Sequence, residues 1–176
     1  DRATENSSTF IYAPDPAGDW IGGVNAEGQG AAFSLDWADV DSMEISMWKT
    51  VGSTYVVNLR RCPIPAGKSV IFGYTFMPFT GMGALDGMRG DLAGGVLVGG
   101  KADLFNDVAQ KELTPGATVP VKVFLVSGSN RDVKLRLTCT RQEDKQVVLD
   151  ETRDVKLAAT AAQTLTASLA LPTQGL

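Results

Sequence analysis

The sequence predicts an all-β fold: an antiparallel β-sandwich in one or two packed β-rich subdomains, with at most one short helix. Three observations carry this. Over residues 132–141, Val133, Leu135, Leu137 and Cys139 alternate with Lys134, Arg136, Thr138 and Thr140. A period of two with one apolar and one wet face marks a half-buried strand. Similar short runs recur over 119–126, 146–149, 154–158 and 165–171, separated by the turn formers Ser127-Gly128-Ser129-Asn130 and Glu143-Asp144-Lys145. Short strands at regular spacing are the pattern of a sandwich. Finally, 19 glycines and 8 prolines in 176 residues suit a loop-rich β protein better than a helical bundle.

Taken in order, residues 1–9 are polar and read as a flexible leader, and Phe10-Ile11-Tyr12 reads as a first short strand closed by Pro14-Asp15-Pro16-Ala17-Gly18. Asp19-Trp20-Ile21-Gly22-Gly23-Val24, the turn Asn25-Ala26-Glu27-Gly28 and the run 31–35 predict a hairpin. Residues 43–48 alternate Met43, Ile45 and Met47 against Glu44, Ser46 and Trp48, and a strand over 54–61 follows the turn Val51-Gly52-Ser53. Pro63-Ile64-Pro65-Ala66-Gly67-Lys68 is a turn, and 69–77 reads as one long strand ending at Pro78. Residues 81–100 repeat glycine among Met, Leu and Val, which predicts a long functional loop with a short strand near 95–98. Leu104, Phe105 and Val108 fall at helical spacing within 102–111. The expected division is 1–112, an N-terminal β-rich domain holding the loop 81–100, and 113–176, an Ig-like β-sandwich domain, with the boundary at Leu113-Thr114-Pro115-Gly116. A piece as short as the second makes a thin core by itself, so the two either pack as one unit or stand as independent domains.

Composition narrows the partners. The net charge of −4 offers no basic footprint, so nucleic acid is not expected. No apolar run approaches a membrane span or resembles a signal peptide. The chain starts at Asp1, as expected of a mature secreted protein or of a domain from a longer chain. There is no histidine, which removes the Ser-His-Asp and Cys-His arrangements and the commonest zinc ligand. Cys62 and Cys139 are the only thiols. They are either joined in a disulfide, which an extracytoplasmic chain permits, or Cys139 is a small hydrophobe on its strand's apolar face.

Residues 114–116, Val119-Pro120-Val121-Lys122-Val123, Val133-Lys134-Leu135-Arg136-Leu137, Gln146-Val147-Val148 and Leu165-Thr166-Ala167-Ser168-Leu169-Ala170-Leu171-Pro172 form a pattern. It resembles the Ig-like or fibronectin-like accessory domains of secreted carbohydrate-active enzymes. The stretches 19–24, 28–33 and 68–81 are similar to the mutarotase-like β-sandwich regions of large polysaccharide-processing proteins. That resemblance implies an extracellular or cell-surface module that accompanies a catalytic domain in the same longer chain or binds glycan. The catalytic histidine of the mutarotase-like proteins is absent here, so epimerase activity is not implied.

Sugar rings present an apolar face of C–H groups, so glycan sites use flat exposed aromatics beside hydrogen-bonding side chains. The candidate platforms are Trp20, Trp48 and Trp37, with Asp19, Asp86 and Arg89 as the polar groups. The competing reading places all three tryptophans in the core, and Phe76, Met77 and Phe79 are expected there. Asp36, Asp39 and Asp41 are the candidate ligands for a structural calcium, although their spacing matches no EF-hand and a solvated turn explains them equally. No other cofactor is expected. Asp86, Asp91 and Arg89 are expected either to bind sugar hydroxyls or to pair with one another. The glycines of 81–100 lack the Gly-Lys-Ser/Thr of a phosphate loop, since Gly99-Gly100-Lys101 precedes Ala102. The expected function is therefore non-catalytic: a carbohydrate-binding or accessory module whose partner is a polysaccharide or oligosaccharide. The alternative is a surface-layer or filament subunit that exchanges a strand, such as the one at Thr9-Phe10-Ile11-Tyr12, with identical subunits. A glycosidase using only Asp19, Asp86 and Asp91 is the remaining enzyme hypothesis.

Overall fold

The computed structural model describes residues 6–9, 19–25, 27–48, 52–99 and 115–171, with backbone alone at 6–9, 43–48 and 52–55. The fold is all-β and its paired strands are antiparallel. Among the described residues every regular element is a strand, apart from a single 3₁₀ turn. Twelve strands follow in chain order: β1 (Asn6–Thr9), β2 (Trp20–Val24), β3 (Gly30–Leu35), β4 (Val40–Trp48), β5 (Gly52–Leu59), β6 (Tyr74–Phe79), β7 (Gly87–Arg89), β8 (Leu92–Val98), β9 (Thr118–Ser127), β10 (Arg131–Thr140), β11 (Val147–Leu157) and β12 (Gln163–Ala170). The chain forms two compact units, Asp1–Asp19 with Leu35–Tyr74, and Trp20–Ser34 with Thr75–Leu176.

The first unit holds the three-stranded sheet β1-β4-β5. Residues 6–9 of the expected leader form β1, with Asn6 opposite Trp48 and Thr9 opposite Ile45. Phe10-Ile11-Tyr12 lies outside the described residues. Trp48 also pairs with Gly52 of β5, and the ladder runs to Val40 opposite Leu59 with an irregularity between Val40 and Ser42. The long strand expected over 69–77 is shorter than predicted. Only Tyr74–Phe79 is strand, and 60–73 carries none. Pro63 and Pro65 bring no amide hydrogen to that stretch, and the turn at 66–67 is closed by Lys68 N donating to Pro65 O at 3.0 Å.

The second unit contains the sheets β12-β9-β8-β7 and β2-β3-β6 and the hairpin β10-β11. Pro78 sits within β6 rather than ending it, because β6 is an edge strand and an edge tolerates a missing N–H. Where a long loop was expected over 81–100, the chain instead makes β7 and the full strand β8. Gly95 explains part of the glycine content: a Cβ there would stand 2.2 Å from the carbonyl oxygen of Ala84, so the backbones touch. The helix expected over 102–111 lies outside the described residues. The expected domain boundary at 112/113 falls between β8 and β9, which pair from Leu92 opposite Ser127 to Val98 opposite Val121.

The two strands expected over 146–149 and 154–158 are one, β11. Its interruption in the sequence is the charged run Asp150-Glu151-Thr152-Arg153. Asp150 pairs outward with Arg136 of β10. Glu151 and Arg153 fall in the inward phase but neutralise each other, and Arg153 also donates to the Thr166 carbonyl at 3.0 Å. The strand therefore continues through its charges.

Two hydrophobic clusters result. One joins Ala32 of β3, Met77 and Phe79 of β6, Met82, Ala84, Ala93 of β8, and Phe124 and Val126 of β9. The other joins Val121, Val123 and Leu125 of β9 with Val155 and Leu157 of β11 and Ala167 and Leu169 of β12. Cys139 packs at its margin as a half-buried hydrophobe, and it and the exposed Cys62 are free thiols, so the disulfide alternative is not realised.

Candidate functional site

Period-two alternation on β3 and β6 sends successive residues to opposite faces. On β3, Ala32 is fully buried, which turns its neighbour Phe33 to the outer face. On β6, Met77 and Phe79 are buried, so Tyr74 (68% exposed), Phe76 (50% exposed) and Pro78 face outward. The rings of Phe33 and Phe76 meet with centroids 4.7 Å apart, tilted by 35°. Cross-strand pairing puts Ile21 opposite Phe33, and Gly23 opposite Ala31, on the same outer face of β2 and β3. The result is a small apolar shelf: two aromatic rings and an Ile beside a flat surface of Gly and Ala. The sequence reading placed Phe76 in the core with Met77 and Phe79. The signal that separates them is phase, since adjacent strand residues cannot share a face.

The residues expected to form the site are divided between the two units, Asp19, Trp37 and Trp48 in the first and Trp20, Asp86 and Arg89 in the second. Trp20 opens β2 opposite Ser34, in the phase of Gly22 and Val24, and Val24 packs on the core, so Trp20 belongs to the opposite face and is half-buried. Asp19 is exposed, and its carbonyl accepts from Leu35 N at 3.1 Å. Trp37 lies in the 3₁₀ turn Trp37–Asp39, half-buried, with its indole N–H buried and unpaired among the described residues. Trp48 is placed by its backbone in β4, and its side chain is outside the described residues.

Asp36 caps that 3₁₀ turn, its carboxylate accepting from Ala38 N at 2.9 Å. Asp39 and Asp41 are exposed on the same short stretch. Among the described residues no group of three or more His, Cys, Asp or Glu is placed to hold a metal ion.

The carboxylates of the β7–β8 hairpin do not pair with Arg89, which stands exposed at the end of β7. Asp86 accepts from Val96 N at 2.6 Å while its own N–H donates to Gly94 O at 2.9 Å, fastening the approach to β7 along β8. Asp91 accepts from Arg131 and, at 2.9 Å, from Ser129 Oγ, and its carbonyl accepts from Gly128 N at 2.7 Å. The Ser129 hydrogen bond foremost, with the Arg131 guanidinium, holds the Asp91 carboxyl below the ordinary carboxylate range. Both acids thus serve as turn fasteners. A crevice between β10–β11 and β9–β12, lined by Leu135, Leu137, Val123 and Leu165, encloses about 10 Å³, room for one water and no more.

Comparison with known protein families, with curated proteins and with solved structures finds no match to this chain.

Proposed function

We propose that the chain is a non-catalytic carbohydrate-binding or accessory module of an extracellular polysaccharide-processing protein, and that the Phe33–Phe76 shelf is its contact surface. The outward aromatic pair at 4.7 Å carries this reading. Apolar ring faces held on a rigid strand pair suit the C–H face of a pyranose, and strand-borne platforms cost little ordering on binding. The test is retention of the full chain on a panel of soluble and insoluble polysaccharides. Phe76→Ala is expected to weaken retention on the preferred polysaccharide about tenfold or more with its β-sheet circular dichroism intact, whereas Trp20→Ala, on the other face, leaves retention unchanged. Equal retention of the parent chain and Phe76→Ala would remove the shelf from the proposal.

The second reading, an assembly subunit exchanging strands with identical copies, is favoured by one observation. Among the described residues, β1 is a four-residue edge strand that pairs with β4 alone. A neighbour's β1 would make the same ladder. Deleting residues 1–9 would then abolish regular particles in light scattering, and a chain that is monomeric at every concentration rejects it.

A further inference from the structure

Every residue from 60 to 74 is exposed. The apolar side chains are not scattered: Ile64 is 55% exposed, Val70 42%, Ile71 90% and Phe72 37%. Bulky apolar groups displayed together on one loop mark an interaction surface, whereas single exposed ones need no explanation. The same stretch carries Arg60, Arg61 and Lys68 and no acid, on a chain whose net charge is −4. None of these three cations forms an ion pair among the described residues. The root of the loop is fixed, with Arg60 N donating to Asp39 O at 2.8 Å and Arg60 Nε to Val40 O at 3.0 Å. Arg61 and Lys68 are both exposed, and Lys68 N closes the turn on Pro65 O.

We propose that this loop docks the protein on an anionic bilayer surface. Ile71, with Val70 and Phe72, enters the boundary between headgroups and acyl chains, while Arg61 and Lys68 meet the lipid phosphates. Interfacial attachment of this kind needs apolar area to bury and cations to hold it at a negative surface, and both are present on one loop. Three cations and no acid on the loop favour an anionic bilayer as its occupant over a second copy docking through the same like-charged loop.

The experiment is co-sedimentation of the full chain with phosphatidylcholine vesicles, with and without phosphatidylglycerol. Binding is expected only to the phosphatidylglycerol vesicles and to weaken as salt is raised. Ile71→Asp should abolish it, and Arg61→Ala and Lys68→Ala should each weaken it roughly fivefold. These side chains are solvent-exposed, so an unchanged circular dichroism spectrum separates lost binding from lost folding. As an independent readout, an environment-sensitive dye on Cys62, in a Cys139→Ala background, should shift to the blue on anionic vesicles. No sedimentation, equal sedimentation with both vesicle types, or sedimentation undiminished by Ile71→Asp would overturn the proposal. Lipid-free self-association that Ile71→Asp removes would overturn it too, by giving the loop to a second copy.

Discussion

Val123 and Phe124 are consecutive residues of β9, yet they belong to different hydrophobic clusters. Val123 packs with Val155, Leu157 and Ala167, and Phe124 with Met77, Phe79 and Met82. A strand buried on both faces ties two cores to one backbone. Phe124→Ala is expected to cost about 3–5 kcal/mol, and Val123→Ala about 1.5 kcal/mol from its two lost methyl groups. In urea each variant should still unfold in one transition seen alike by fluorescence and circular dichroism. Two separated transitions in Phe124→Ala would show that the clusters melt independently.

Gly95 and Gly87 lie on paired strands of one hairpin but in different surroundings. A methyl group at Gly95 would press on the Ala84 backbone at 2.2 Å, and one at Gly87 would meet nothing within 4 Å. Gly95→Ala should therefore destabilise by about 3 kcal/mol or more, since backbone cannot move aside as a side chain can. Gly87→Ala should fall within about 1 kcal/mol of the parent. Thermal melting of the two proteins side by side decides it, and equal melting points would contradict the close approach.

Asp91 provides a pH signature. Its carboxyl is held below the ordinary range by Ser129 and Arg131, so its folded pKa is lower than its unfolded one. The stability it contributes is complete above the unfolded value, near 4, and disappears as pH falls through the lowered folded value. Asp91→Asn should thus melt below the parent at neutral pH, with the difference closing in acid. A difference that stays constant down to pH 2 would mean that the charge of Asp91 is not what fastens the turn.

Arg136 and Asp150 make a two-pronged bridge, with both hydrogen bonds at 2.9 Å, on the outer face of the β10–β11 hairpin. The guanidinium lowers the Asp150 pKa and is itself raised, yet both groups are open to solvent. Exposed pairs are screened and contribute little. Arg136→Ala is expected to leave the melting temperature within experimental error, and a clear drop would show that the pair pins the hairpin.

Much of the fold is legible in the sequence wherever one strand face is dry. β10 and β12 fall within two residues of their expected limits because apolar and polar residues alternate without interruption. β11 reads as two strands because Glu151 and Arg153 occupy inward positions, and only the structure shows them cancelling each other. The stretch 69–73 reads as strand from composition alone, but strand formation also needs a partner edge, which local sequence does not encode. The site is less legible. Tryptophans are the expected platforms, whereas the outward ring pair is phenylalanine, with Phe76 exposed and Phe33 half-buried, a residue type usually assigned to the interior. Phase relative to Met77 and Phe79 is the only local cue, and it becomes decisive once one face is known to be buried.

The double burial of β9 also limits how this chain could be divided or recombined. Residues 113–176 resemble a portable cassette in sequence. Excised, they would lose β8 as a hydrogen-bonding neighbour along β9 and would present Phe124 and Val126 to water. The cassette would carry a sticky apolar stripe and a raw sheet edge together, the two hallmarks of a fragment that aggregates. A fragment that keeps both cores must hold Trp20–Ser34 together with Thr75–Leu176, so no single cut in the chain frees it.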